Sequence, residues 1–191
     1  MSTSTKKGHL SPESALLGFL YCGPMHGYEL HRKLVADLGH VWHLSQSEAY
    51  AILKRLEQRG YLSHQSVPQQ KLPPRQLLQI TTAGRQYFTE WLHTPSGGSI
   101  RVIRMEFLTR LYFTHLTAPE NIAALFTAQH LEAEKHIRRL GETLQNLPAE
   151  QIFNRMSLEM RIRQLHLVLN WLQDCQTSFS NQNPVYPPKE K

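Results

Sequence analysis

A mainly α-helical fold with one two-stranded wing is what this sequence predicts, on three observations. Apolar residues recur at three-and-four spacing along most of the chain, the period of an amphipathic helix. One stretch departs from it, where Tyr61–Val67 and Arg75–Ile80 read as a strand and its return. Capping residues stand where the helices on either side of that hairpin must begin, at Ser45 before it and at Thr81 and Thr82 after it.

The elements follow in order. Met1 to Leu10 is polar and lysine-bearing and predicts a flexible arm. Ser11-Pro12-Glu13 starts a helix with a cap, a proline at the first helical position and an acid in the first turn. Leu16, Leu17, Phe19 and Leu20 continue it until Gly23-Pro24. His26-Gly27 opens a second helix to about Leu38, with Tyr28, Leu30, Leu34 and Val35 as its apolar side and Gly39 as its end. Ser45-Gln46-Ser47-Glu48 has the spacing of a capping box, a hydroxyl three residues before a glutamate. Behind it Tyr50, Leu53, Leu56 and Glu57 fall on one side of a helix. Ser47, Glu48, Ala51 and Arg55 fall on the other, with Lys54 at the edge. Gly60 stands where a left-handed cap is needed. A helix followed by a two-stranded flap is the layout of a winged helix-turn-helix, whose helix enters a DNA major groove.

Ser45, Gln46 and Ser47 offer hydrogen-bonding side chains at the start of that helix, where base edges and phosphates are met. Ala51, Lys54 and Arg55 extend the same wet side. Between Glu57 and Glu90 there is no carboxylate, while Arg59, Lys71, Arg75 and Arg85 all lie there. A phosphate backbone rewards such a window through counterion release, and Lys71 and Arg75 are its principal wing contacts. The net charge of +6 and an isoelectric point near 9.5 favour the same polyanionic partner.

Thr94-Pro95-Ser96-Gly97-Gly98-Ser99 reads as a linker of small and breaking residues. Ile100 to Leu116 then predicts an apolar-rich helix, and Pro119 opens a long one bearing Ile122, Phe126, Ala133, Ile137, Leu140, Leu144 and Leu147. After Pro148 a third helix carries a seam of Leu158, Ile162, Leu165, Leu169 and Leu172, beside a second stripe of Val168, Trp171 and Cys175. Two apolar sides ask for two partners, which predicts a dimerisation module. Five segments result: an arm at 1–10, a winged helix at 11–93, a linker at 94–99, a helical dimerisation domain at 100–179 and a disordered tail at 180–191.

Other function classes find little support. Cys22 and Cys175 sit in apolar surroundings, far apart and without metal-ligand spacing, which points to a reducing cytoplasm. The 11 histidines include one close pair, His40 and His43, with no second pair to complete a zinc site. No nucleophile elbow and no phosphate-binding glycine loop occurs, so no enzyme and no cofactor is expected. No apolar run approaches membrane-spanning length. Trp42, Trp91 and Trp171 are read as core or interface aromatics.

The assembled residues resemble the PadR-like transcriptional regulators. The carriers are Leu16-Leu17-Gly18-Phe19-Leu20, Gly23-Pro24-Met25-His26-Gly27-Tyr28-Glu29-Leu30, Ala49 through Leu62, and Pro74-Arg75 followed by Ile80-Thr81-Thr82-Ala83-Gly84-Arg85. Ile103 through Phe113 looks like the helical C-terminal domain of the family's virulence-activator subgroup. Ala51 departs from a frequent proline, and Gln76, Leu78 and Gln79 from tyrosine and basic residues. The resemblance implies a cytoplasmic homodimer on a pseudo-palindromic operator, a repressor in many relatives. In some relatives a small aromatic or drug-like effector bound between the domains releases the DNA. A helical interaction scaffold whose winged helix binds protein is the alternative.

Overall fold

The computed structural model describes residues 10, 12–69, 72–97 and 99–181, with the backbone alone at 66–69, 72–76 and 180–181. Most of the expected arm and tail, and the cap expected at Ser11, lie outside these residues. In chain order the elements begin with α1 (Glu13–Cys22), α2 (Gly27–Leu38), α3 (Gln46–Gln58), β1 (Leu62–Gln69), β2 (Leu72–Ile80) and α4 (Thr82–Leu92). They continue with α5 (Ile100–Val102), a π-helical turn at Ile103–Phe107, α6 (Leu108–Thr117), a 3-10 turn at Pro119–Asn121, α7 (Ile122–Gln145) and α8 (Ile152–Asn181).

Two compact units form. One gathers the residues up to Thr94 with Arg104–Pro119, the other Pro95–Ile103 with the residues from Glu120 onward. This division differs from the expected boundary at 94–99, because α6 packs with the winged helix. In the first unit every residue of α1 from Glu13 to Leu20 is buried. A helix with no wet face needs cover on all sides, and α2, α3, α4, β2 and α6 supply it. Phe113 of α6 stacks edge-on against Phe19 and Phe88 at 5.2 and 5.4 Å between ring centroids. Its ring lies so close to α1 that a Cβ on Gly18 would come within 2.4 Å of it. Each such apolar side chain, fully buried, contributes roughly 1.5–3 kcal/mol.

Polar ties fix α6 there. The Trp42 indole N–H donates to Thr109 Oγ1 at 2.7 Å, and Thr109 donates to the Met105 carbonyl at 2.6 Å. Arg110, 2% exposed, donates to the Trp91 carbonyl at 2.9 Å and pairs with Glu106 at 3.1 Å, its guanidinium 4.3 Å from the Trp91 ring centre. Burial lowers its pKa and Glu106 opposes the shift. The Tyr112 hydroxyl donates to the Asp37 carboxylate, and burial followed by that bond raises its pKa.

The expected faces need correction in places. In α2 the buried row is Leu30, Leu34 and Leu38, a strict four-residue spacing, while Tyr28 and Val35 stand 48% and 50% exposed. The helix expected from Ile100 to Leu116 is interrupted by the π turn, an insertion that resets the phase of the residues after it. Cys22 is exposed rather than set in apolar surroundings.

In the second unit α7 and α8 pack as a hairpin through Phe126, Ala133 and Leu140 against Leu165, Val168 and Leu172. Arg155 closes its turn by donating to the carbonyls of Leu144 and Leu147 at 3.1 and 2.9 Å, beside the bond that the Leu147 N–H gives to the Leu144 carbonyl at 3.3 Å. Ser96 belongs to the expected linker, yet it is buried. Its backbone N–H donates to Gln129 Oε1 at 2.9 Å and its carbonyl accepts from Gln129 Nε2 at 3.2 Å. The segment is therefore pinned at that residue.

Two glycines separate steric need from helix propensity. A Cβ on Gly84 would lie 2.2 Å from the Tyr61 carbonyl oxygen, a backbone atom with little freedom to move, whereas one on Gly141 meets nothing within 4 Å. Gly84→Ala should destabilise the protein by about 1–3 kcal/mol. Gly141→Ala, inside α7, should stabilise it by about 0.5–1 kcal/mol. Denaturant unfolding of both variants beside the parent checks for these opposite signs.

Candidate nucleic-acid interface

The site begins with what fixes α3. At its N-terminus Ser45 Oγ accepts from the Glu48 N–H at 3.3 Å, while Glu48 Oε2 accepts from the Ser45 N–H at 2.9 Å and from its hydroxyl at 2.6 Å. This is the expected capping box, closed in both directions. The hydrogen bonds from Ser45 lower the pKa of Glu48. A depressed carboxyl stabilises the cap above its ordinary titration range, and the contribution disappears as pH falls through the lowered folded value. His31 Nε2 holds the preceding loop at the Leu44 carbonyl, 2.8 Å away.

At the other end Gly60 has φ of +74°. The Tyr61 N–H donates to the Leu56 carbonyl at 2.9 Å and the Gly60 N–H to that of Glu57 at 2.8 Å, which is a Schellman cap. Between the caps Ala49, Ile52, Leu53 and Leu56 face the core. Gln46, Ser47, Tyr50, Ala51 and Lys54 form an exposed row at three-and-four spacing.

Three expectations change here. Tyr50, expected in the core, is 41% exposed and joins the outward row. Its ring lies over Gly27, where a Cβ would come within 2.9 Å of Cε1, so the glycine makes room for the tyrosine. Its place three residues after Ser47 and four before Lys54 was the signal that could have found it. Ser45, expected among the groups that meet DNA, gives its hydroxyl proton and one lone pair to the cap. Arg55, expected to face DNA, stands with its Nε 3.8 Å from Glu13, and Arg59 holds the same carboxylate at 2.9 Å. Glu13 is 9% exposed, so α1 supplies to α3 the acid that the carboxylate-free window lacks. Arg85 is likewise engaged, 5.1 Å from the centre of the Tyr21 ring, and His64 lies 3.0 Å from Glu57.

The wing is antiparallel, pairing Leu62 with Ile80, His64 with Leu78 and Val67 with Arg75, and it slips register between Val67 and Gln69. Pro68 in that step has no N–H to donate. The strands run longer than expected, to Gln69 and from Leu72. Met25 adds a bridge, exchanging backbone bonds with Leu78 at 3.2 and 3.0 Å. Lys71 lies outside the described residues, and Arg75 is described by its backbone alone.

On α8, burial distributes the expected dimerisation residues differently from the sequence reading. Leu165, Val168 and Leu172 are buried within the chain, and Leu158, Ile162, Leu169 and Trp171 are half-buried. Besides Ile152 at the start of α8, the wettest apolar positions are others: Phe153, Met156, Met160 and Leu167, between 59% and 86% exposed. They repeat at three, four and seven residues, so one face of α8 presents them. No group of His, Cys, Asp and Glu among the described residues could hold a metal ion, and no described helix is long and apolar enough to cross a membrane.

The ion pair under α3 sets a measurable contrast. Arg59→Ala leaves the buried Glu13 without its closest partner and should cost about 1–3 kcal/mol. Lys54→Ala, on the outward row, should stay within about 0.5 kcal/mol of the parent. Equal melting curves for the two variants would remove the anchoring role given to Glu13.

The profile of the transcriptional regulator PadR-like family matches residues 16–90, and that of the virulence activator alpha C-terminal domain matches residues 103–179. The negative transcriptional regulator PadR of Bacillus subtilis is 25% identical over 137 residues, covering 71% of this chain and 74% of that protein. Among solved structures, Bacillus subtilis PadR in complex with operator DNA is 22% identical with a TM-score of 0.40, covering 87% of this chain and 96% of that one. The Vibrio cholerae virulence activator AphA is 19% identical with a TM-score of 0.38, covering 89% of this chain and 98% of its own.

Proposed function

This chain belongs to the PadR-like family of transcriptional regulators, of the kind that carries a virulence-activator C-terminal domain, and we propose that it binds a pseudo-palindromic operator as a homodimer. The observation that carries the reading is the outward row of α3. Gln46, Ser47, Tyr50 and Lys54 stand exposed on a helix capped at both ends and tied to α1, as reading base edges in a groove requires. Gln46 is the reader of an adenine edge, Ser47 and Tyr50 add neutral donors, and Lys54 meets phosphate. Lys71 and Arg75 of the wing neutralise the backbone on either side.

Assembly follows from the apolar stripe of α8. Phe153, Met156, Met160 and Leu167 would remain in water on an isolated chain, at a cost of roughly 1.5–3 kcal/mol for each large side chain that a partner would fully bury. A second copy presents the same stripe and covers it symmetrically. It also brings a second α3, so that two half-sites one DNA turn apart, about 34 Å, are read together. The protein acts in the cytoplasm and without catalysis. Repression is the proposed sign, as the name of the Bacillus relative states for that protein, and a small-molecule effector adjusts it.

Selection of bound fragments from a random DNA pool tests the reading, with an inverted repeat as the expected outcome and no enrichment as the result that sinks it. Gln46→Ala should relax preference at one position per half-site, at a cost of about 1–3 kcal/mol. Arg75→Gln should weaken all duplexes alike and reduce the salt slope by about one. For assembly, Leu167→Glu should yield a folded monomer by sedimentation. Leu165→Glu, aimed at a position 2% exposed within the chain, should instead unfold the hairpin.

A further inference from the structure

A cavity of about 240 Å³ opens in the second unit, lined by Ser99, Ile100 and Arg101 at the start of α5 and by Arg161, Gln164 and Leu165 on α8. Its volume exceeds what one water or one monatomic ion needs and falls just below the usual range of small-molecule sites, about 300–1,000 Å³. The chemistry of the lining is uneven. It has two guanidiniums, an amide and a hydroxyl, two aliphatic side chains, and no carboxylate.

Two observations bear on this charge. Neither Arg101 nor Arg161 has a carboxylate at ion-pair distance among the described residues. The field reaches α7 as well. His136 has its Nε2 buried without a hydrogen-bond partner, and burial, then the charges of Arg161 and Arg139, lower its pKa, with Glu132 opposing. Two exposed arginines on the lining of one cavity can offer guanidiniums to the two oxygens of a carboxylate or phosphate in the fork geometry that arginine favours.

We propose that this cavity binds a small organic oxyanion, its charged end between Arg101 and Arg161 and its apolar body against Ile100 and Leu165. Gln164 supplies the amide that orients it, and Ser99, whose Oγ already accepts from the Val102 N–H at 3.2 Å, still has its hydroxyl proton to donate. The ligand is short, because the volume admits little beyond the anionic group and a few carbons. Binding here does not depend on the DNA reading; only the use of the site to adjust operator affinity rests on it.

Calorimetric titration of the full chain, without DNA, tests the site with hexanoate, butyl phosphate and inorganic phosphate as probes. Saturable binding of hexanoate or butyl phosphate is expected, and the tighter of the two identifies the anion as carboxylate or phosphate ester. Arg101→Gln and Arg161→Gln should each weaken it tenfold or more, with melting curves that show both variants folded. Arg163→Gln, on the same helix but outside the lining, should leave it unchanged. Absence of saturable binding, affinity unchanged from the parent in both lining variants, or inorganic phosphate binding as tightly as the organic anions would each overturn the proposal. Because no DNA is present, these outcomes stand apart from any failure of the regulator reading.

Discussion

Everything in the first unit answers to the burial of α1. A helix whose residues from Glu13 to Leu20 are all inaccessible cannot rest in a shallow groove, and the winged helix alone leaves it a side short. Phe113 closes that side, reaching the backbone at Gly18, and Trp42 and Arg110 hold the closing helix through Thr109 and Trp91. This is why a segment that follows the expected linker folds back onto the N-terminal part of the chain. It also explains the glycine in the middle of α1, which is unfavourable for helix formation alone and is required by the ring beside it.

The same helix decides which cations of the α3 region are already paired within the protein. Glu13 reaches the C-terminal half of α3 and engages Arg59 closely and Arg55 more loosely. The recognition helix thereby gains an anchor at the end opposite its capping box. Its outward row keeps one lysine and otherwise neutral donors: an amide, a hydroxyl and a phenol. Neutral donors carry sequence information without adding affinity for every duplex, whereas cations add affinity without discrimination. In the proposed reading the helix specifies and the wing attracts.

Local chemistry was legible in the sequence, and distant packing was not. The capping box at Ser45 and Glu48, the left-handed turn at Gly60 and the cap at Thr81 are each complete within a few residues. Spacing alone therefore reveals them. Tyr50 is harder to place, because an apolar ring with a polar tip suits both sides of a helix; its spacing from Ser47 and Lys54 marks the outward side, and Gly27 makes room for the ring there. Glu13 was legible as a first-turn acid but not as the partner of Arg59, since 46 residues separate them. The acid-free window was real in sequence and is partly filled in space.

The C-terminal helices show a different limit. Periodicity reveals that α8 has two apolar sides, but it cannot assign a partner to each. The structure gives Leu165, Val168 and Leu172 to α7, and this leaves Phe153, Met156, Met160 and Leu167 as the face in water. Composition offers a rationale after the fact. Branched residues with few rotamers fill a fixed intramolecular core, whereas methionine, flexible and polarizable, suits a surface that must fit a separately folded partner. A helix that serves both purposes must keep the two stripes apart around its circumference, so the positions between them are constrained as well. Gln164 is among these, whereas Arg161 stands one turn before Leu165 on the side of the intramolecular seam. Both line the cavity beside α5 together with Leu165 of the seam, and Arg161 stays exposed there, as an unpaired guanidinium requires. The geometry of packing therefore leaves room for a third, polar use of the same helix.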